Sequence, residues 1–307
     1  MTFKKYIIME PILITEANGF LGSHLADFYL KQGVRIYGIS HGLCKYSKLN
    51  QIHDDILTAK NLPNDVSTIL HFAALTDTQY CEKNPSECYK INVEGTKNIL
   101  ELARKNDSNL IFASSSHVYG NPNTLPILET DSLNPISIHA KSKVKAESLC
   151  EEYSILYGIN ISIIRTFSIF GSGSPSYALI SRIINQILNN EKIILGNLDS
   201  KRDFLHVSDF LNAVDILIEN QIDGCSKFNI GSGESFSVHD ICDNLLKISG
   251  SLNPIELDSN LIRNNDVDEL VCDNSKLKKL GWSPKLSFNE GLQQVFNYFK
   301  NNYVNLS

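Results

Sequence analysis

The chain carries no C-x-x-C pair, and its seven cysteines are scattered. That argues against a zinc site or a disulfide framework and for reduced thiols. There is no long basic run, and the formal charge is −6. Nucleic acid and anionic membrane surfaces are therefore not expected partners. No apolar run has the length of a bilayer span, and the one behind Lys4 and Lys5 is too short for a signal peptide. A cytoplasmic protein is expected. Repeats, low-complexity tracts and flexible linkers are also missing, and no metal site is expected. What remains is ordinary for a soluble protein: 42% hydrophobic and 20% charged residues in a chain of 307. That length allows one large domain or two modest ones.

Ile12-Leu13-Ile14 is a short apolar run of the kind that forms a strand buried on both faces. Residues 34–40, 53–56, 68–72, 109–115 and 160–165 read as further strands. Residues 79–105 and 136–157 read as two long helices. Strands alternating with helices predict a Rossmann-type, doubly wound α/β domain with a parallel sheet. We expect it over residues 1–167, with a return segment near 204–230. The remaining 168–307 are expected to form mainly a smaller α+β substrate-binding lobe. Ligands in such sheets lie beyond the carboxyl ends of the strands, so chemistry is sought just after each one.

After the first strand come Glu16, Gly19 and Gly22, a G-x-x-G-x-x-G turn whose first glycine is replaced. From Gly19, Leu21, Leu25 and Phe28 recur at helical spacing up to Gly33. A buried strand, a glycine turn and a helix N-terminus make a seat for an anion. Six further stretches follow in order. They are His71-Phe-Ala-Ala74, Asn92-Val-Glu-Gly-Thr-Lys-Asn-Ile-Leu100 and Ala113-Ser-Ser-Ser-His-Val-Tyr-Gly120, then Arg202-Asp-Phe-Leu-His-Val-Ser-Asp209, Phe228-Asn-Ile-Gly-Ser-Gly233 and Leu280-Gly-Trp-Ser-Pro284. Together these resemble the extended short-chain dehydrogenase/reductase family, the nucleotide-sugar epimerases, dehydratases and reductases.

The resemblance implies a nicotinamide dinucleotide held by Gly19, Phe20, Leu21 and Gly22, by the bed Phe72, Ala73 and Ala74, and by Asn92. Asp55 and Ile56 match the pair that contacts adenine, although Asp55 also reads as a solvated loop acid. NAD-binding members carry an acid where this chain has Ser40-His41. The missing carboxylate leaves room for a 2′-phosphate near His41, Lys45 and Lys48, which favours NADP over NAD. At Glu16 three outcomes are open: the loop shifts and the side chain meets solvent, it takes a ribose hydroxyl, or cofactor affinity is poor.

The same resemblance implies that Ser115, His139 and Lys143 do the proton work. His139 stands where the family has tyrosine, one helical turn from Lys143. Beside the lysine ammonium its pKa should fall and the neutral ring dominate; if it donates as imidazolium, turnover falls above its pKa. His117 is a second acid–base candidate, or a hydrogen-bond partner for a sugar hydroxyl. Arg202 and Arg263 match the family's clamp on the substrate diphosphate. The implied function is a 4-keto-sugar reductase or 4-epimerase acting on a nucleoside-diphosphate sugar, in deoxysugar or polysaccharide synthesis. The alternative is a degenerate member that binds a nucleotide sugar or a partner chain without turnover. The two long helices match those that the family pairs into a homodimer.

Overall fold

The computed structural model describes residues 11–40, 42, 46–61, 63–262 and 267–303. The chain divides into two compact units. One comprises the chain up to Val118 with Pro135–Arg165 and Leu217–Phe228; the other comprises Tyr119–Asn134, Thr166–Ile216 and the chain from Asn229. The first unit thus runs to Arg165 and takes back Leu217–Phe228, inside the return segment read near 204–230, while Tyr119–Asn134 lies in the second.

The first unit runs β1 (Ile12–Thr15), α1 (Phe20–Lys31), β2 (Ile36–Ile39), β3 (Asn50–Ile52) and β4 (Thr68–His71). It continues through α2 (Thr78–Lys83), α3 (Pro85–Tyr89), α4 (Gly95–Asn106), β5 (Asn109–Ser115), α5 (Ile138–Tyr157) and β6 (Ile161–Thr166). The second unit supplies β7 (Ser168–Phe170), α6 (Leu179–Leu188), β8 (Ile193–Leu195) and β9 (Lys201–His206). Helix α7 (Val207–Glu219) and strand β10 (Cys225–Ile230) then lead to β11 (Ser235–Ser237), α8 (Val238–Ser249), β12 (Ile255–Leu257), β13 (Glu269–Leu270), α9 (Ser275–Lys278) and α10 (Phe288–Tyr303).

The main sheet has seven strands in the order β10-β6-β5-β4-β1-β2-β3. β1 pairs in parallel with both β2 and β4, and the order reverses there. That reversal is a topological switch point, and it opens the crevice where α/β sheets bind ligands. The strands read as continuous apolar runs because helices cover both faces: all four residues of β1 and of β4 are buried. Leu25, Ala26 and Tyr29 turn α1 onto the sheet, and Gly33, at φ 81°, ends the helix.

Two sequence expectations differ from the structure. The third strand is Asn50–Ile52, not 53–56. Asp54 accepts the Asp55 N–H at 2.8 Å, and Asp55 accepts the Leu57 N–H at 2.7 Å, so these acids close turns instead of extending a ladder. The helix expected over 79–105 is broken at Asn84, whose backbone is non-helical ahead of Pro85. It then widens to i→i+5 bonding over Lys90–Glu94. That wider turn carries Asn92, which is 1% exposed, and such bulges are common at functional sites.

Helix α5 starts at Ser137, whose hydroxyl accepts the Ala140 N–H at 3.1 Å, and ends at Gly158 in the left-handed region. A buried ion pair fixes it to the sheet. The Arg165 Nη2 donates to Glu147 Oε2 at 2.7 Å and its Nε to Oε1 at 3.1 Å, while Ser114 Oγ donates to Oε1 at 2.5 Å. Both ionic side chains are at most 3% exposed.

In the second unit β9 is flanked by β11 and β13 and also pairs with β7, while β12 pairs with β8. Its core centres on Phe170, Phe204, Phe236 and Phe288, the last two stacked at 4.0 Å between centroids. No helix among the described residues is long and apolar enough to cross a membrane.

Removing one partner of the buried pair leaves a charge without compensation. Glu147→Ala should therefore cost about 3–5 kcal/mol in urea unfolding, and Glu147→Met with Arg165→Met should recover most of it. Additive losses in the double variant would show that the pair is not coupled.

Candidate active site

The site grows from the end of β1. Thr15 Oγ1 accepts the N–H groups of Phe72 at 3.0 Å and Ala73 at 2.9 Å, so it shapes the backbone just beyond β4. Its hydrogen goes to His71 Nδ1, 2.9 Å away. His71 Nε2 then donates to Thr96 Oγ1 at 3.0 Å, and Thr96 donates to the Asn92 carbonyl at 2.7 Å. Asn92 in turn holds Leu75 by both its N–H, at 2.7 Å, and its carbonyl, at 3.0 Å, and donates to Ser142 at 2.9 Å. Burial, with the Lys143 charge adding to it, lowers the His71 pKa to about 3. His71 is a structural member of the site and not an acid. The 72–74 bed and Asn92 expected from sequence do lie together, but Thr15, His71 and Thr96 organise them.

The glycine turn follows. A Cβ on Gly22 would stand 2.1 Å from the Glu16 carbonyl oxygen, so only glycine allows this approach of α1 to the loop. Glu16 adopts φ 59°, a left-handed conformation suited to glycine. Backbone bonds hold the loop there: the Glu16 N–H donates to Ile39 O at 2.7 Å, and the Gly19 N–H to Glu16 O at 2.9 Å. Its carboxylate bends over Gly19, with Oε1 2.6 Å from where a Cβ would stand. Oε2 accepts the Ala74 N–H at 3.3 Å.

The first turns of α5 supply the second half. His139 is 5% exposed, so it is no surface histidine, and its Nε2 has no hydrogen-bond partner. Burial first, then the Lys143 and His117 charges, lowers its pKa to about 3. The ring is neutral at ordinary pH, and the free chain has no fall in imidazolium near neutrality. The direction is the one that the neighbouring Lys143 ammonium implies, and burial is the larger cause. Lys143 is 4% exposed, donates to the Ala113 carbonyl at 2.7 Å and lies 5.0 Å from the Phe112 ring centroid. Burial lowers its pKa to about 8, against the opposing pull of Glu16. Ser115 ends β5 and accepts the His117 N–H at 3.2 Å, and the His117 side chain acts electrostatically on His139. Ser115, His117, His139 and Lys143 thus belong to one neighbourhood of the first unit. Tyr80 lies on α2, exposed and donating to Glu87 at 2.7 Å.

Ser40 is buried at the end of β2. Asp55 is committed to its turn, and Ile56 packs where Gly95 leaves space. Arg202 is half-buried on β9 in the second unit, its Nη1 donating to Lys201 O at 2.8 Å. His41, Lys45 and Arg263 lie outside the described residues. Sequence reasoning missed Thr15, Thr96, Ser142, Glu147 and Arg165 as site builders; the available signal was polar residues interrupting apolar or helical runs.

The family model described as GDP-mannose 4,6 dehydratase matches residues 13–295. A Methanocaldococcus jannaschii protein provisionally named a UDP-glucose 4-epimerase is 33% identical over 95% of this chain and 99% of its own length. A Thermodesulfobacterium geofontis UDP-glucuronate 4-epimerase is 29% identical over 96% and 97%. The crystal structure of a Bacillus cereus UDP-glucuronic acid 4-epimerase, in complex with UDP-glucuronic acid and NAD, superposes with a TM-score of 0.87. It is 26% identical, over 95% of this chain and 100% of that one. The chain belongs to the GDP-mannose 4,6 dehydratase family, within the extended short-chain dehydrogenase/reductases that act as nucleotide-sugar epimerases and dehydratases.

Two of the buried histidines, His71 and His139, set an acid limit on stability. Both have a folded pKa of about 3, against 6.5 for the free side chain. Below pH 6.5 the unfolded chain binds more protons, so stability is full above that pH and falls as pH drops toward 3. Each histidine contributes up to about 1.4 kcal/mol per pH unit in that window. His139→Phe should therefore flatten the acid slope of unfolding free energy by about that amount, read by denaturant melts between about pH 6.5 and 4.5. An unchanged slope would mean that His139 is already charged in the folded chain.

Proposed function

We propose that this chain is a nicotinamide-dependent cytoplasmic enzyme acting on nucleoside-diphosphate sugars, as a 4-epimerase or 4-keto-sugar reductase, with His139 in the proton-handling place. The observation that carries this reading is the His139 Nε2 atom, buried and without a partner, one helical turn from the buried Lys143. A buried polar atom left unmade costs about 1–3 kcal/mol, which a sugar hydroxyl or keto oxygen would recover. The frame also fits a dinucleotide: Gly22 permits the close approach and Lys143 carries an ammonium there, while the exposed Glu16 side chain is an obstacle among the described residues.

Phe72, Ala73, Ala74 and the α1 N-terminus would hold the dinucleotide, with Lys143 on its ribose and Arg202 and Arg263 on the sugar diphosphate. A nicotinamide bound there would take and return the hydride of the sugar C4. His139 would hydrogen-bond the C4 oxygen, and Ser115 and His117 would orient the sugar. Proton uptake by a ring whose pKa is about 3 is unfavourable in the free chain. An alkoxide developing beside it favours the charged ring, so proton transfer is tied to a bound sugar. The second reading, a binder without turnover, is favoured by the same low pKa and by the carboxylate in the glycine turn.

The test is turnover on a panel of UDP- and GDP-sugars with each nicotinamide cofactor. His139→Phe should lower kcat by about 10²–10⁴-fold, and His139→Tyr should preserve or raise it. Activity in the tyrosine variant alone would establish the binder reading for the parent. The cofactor competition also decides the Ser40 argument. NADPH should bind more tightly than NADH if the missing acid governs, whereas the solved relative holds NAD.

We also propose a homodimer through α4 and α5. Tyr89, Val93, Val144 and Ser148 line a depression on that side of the first unit. Light scattering at micromolar concentration should give twice the 34.4 kDa chain mass, and a monomer would remove the proposal.

A further inference from the structure

Gly19 has no side chain, and the space this leaves over the loop is taken by Glu16. Three observations make that more than a chance rotamer. The Glu16 backbone cannot retreat, because its carbonyl is pressed against Gly22 and its N–H is bound to Ile39 O. The side chain turns back along the loop, bringing Cγ to 2.8 Å and Oε1 to 2.6 Å from the position of a Gly19 Cβ. Oε2 then takes a backbone N–H, that of Ala74, just past the end of β4. The carboxylate thus stands over Gly19, the residue that precedes α1, and puts a negative charge where a phosphate would approach the turn.

We propose that Glu16 is an internal occupant of the phosphate seat, competing with the diphosphate of a nicotinamide dinucleotide and so setting how tightly this chain takes its cofactor. The inference rests on the nicotinamide-dependent reading above. For a dinucleotide to enter, the Glu16 carboxylate must leave the Ala74 N–H and swing toward solvent. If it stays, like charges meet across the loop. Either route weakens binding relative to the same frame with glycine. The seat therefore discriminates by charge as well as shape, against ligands with a diphosphate and in favour of their uncharged parts.

The test is direct binding of NADH to the full chain, followed by NADH fluorescence and by calorimetry, with no turnover required. Glu16→Gln keeps the volume and removes the charge; Glu16→Gly removes both and relieves the φ 59° backbone. Both should tighten NADH at least tenfold over the parent, and Glu16→Asp should not. Thermal melts of each variant check that the chain is folded, and Glu16→Gly should melt no lower than the parent. If parent and Glu16→Gln bind NADH equally, Glu16 is not an anionic competitor and the inference fails, while the cofactor reading stands. If folded Glu16→Gly binds no NADH either, both are overturned.

Discussion

A carboxylate and a guanidinium buried side by side bind helix α5 to the sheet. Glu147 takes two hydrogen bonds from Arg165 and one from Ser114, so α5 is tied to β5 and β6 at the same point. Taking two charges out of water is costly, and the arrangement is tolerable because each oxygen has a donor. What it secures is placement. His139 and Lys143 lie two turns and one turn before Glu147 on the same helix, so the pair fixes their height above the carboxyl ends of the strands. Apolar packing alone would leave α5 freer to slide, because Ala146, Cys150 and Tyr153 supply contacts without direction.

The other half of the site rests on side chains that stand in for backbone. The sheet reverses between β1 and β4, and backbone groups just past a reversal lose their ladder partners. Thr15 accepts the N–H groups of Phe72 and Ala73, and Asn92 takes both polar groups of Leu75. The wide turn at Lys90–Glu94 is one consequence of bringing Asn92 to that task.

The doubly wound class was legible because it is written in strand-length apolar runs and glycine spacing, and β5 matches its expected span to the residue. The turn at Asp54 and Asp55 was not, since a short acidic segment reads equally as strand edge or loop until its side chains choose partners. Asn84-Pro85 carries a signal of a break inside a stretch read as one helix from Ile91, Ile99, Leu100 and Leu102, all of which lie after it. At the site, the residue types at positions 115, 139 and 143 were plain, and Lys143 one turn away pointed to a neutral His139; how deeply that ring is buried was not legible. Its neutrality depends on burial and on charges brought from Lys143 and His117, and sequence spacing does not measure burial. The pose of Glu16 was not among the outcomes left open, and it depends on the emptiness above Gly19.

The hydrogen-bond chain through Thr15, His71, Thr96 and Asn92 has a direction. Thr15 already accepts two N–H groups and must give its hydrogen to His71, and the run ends on a carbonyl that can only accept. Such a wire is closed at both ends and has no vacancy for an extra proton to enter or leave. A histidine so enclosed exchanges no proton with the solution while the fold stays closed. The ring at position 71 is thereby insulated from the chemistry a few ångströms away, and isotope exchange at its N–H would proceed only when the strand ends open.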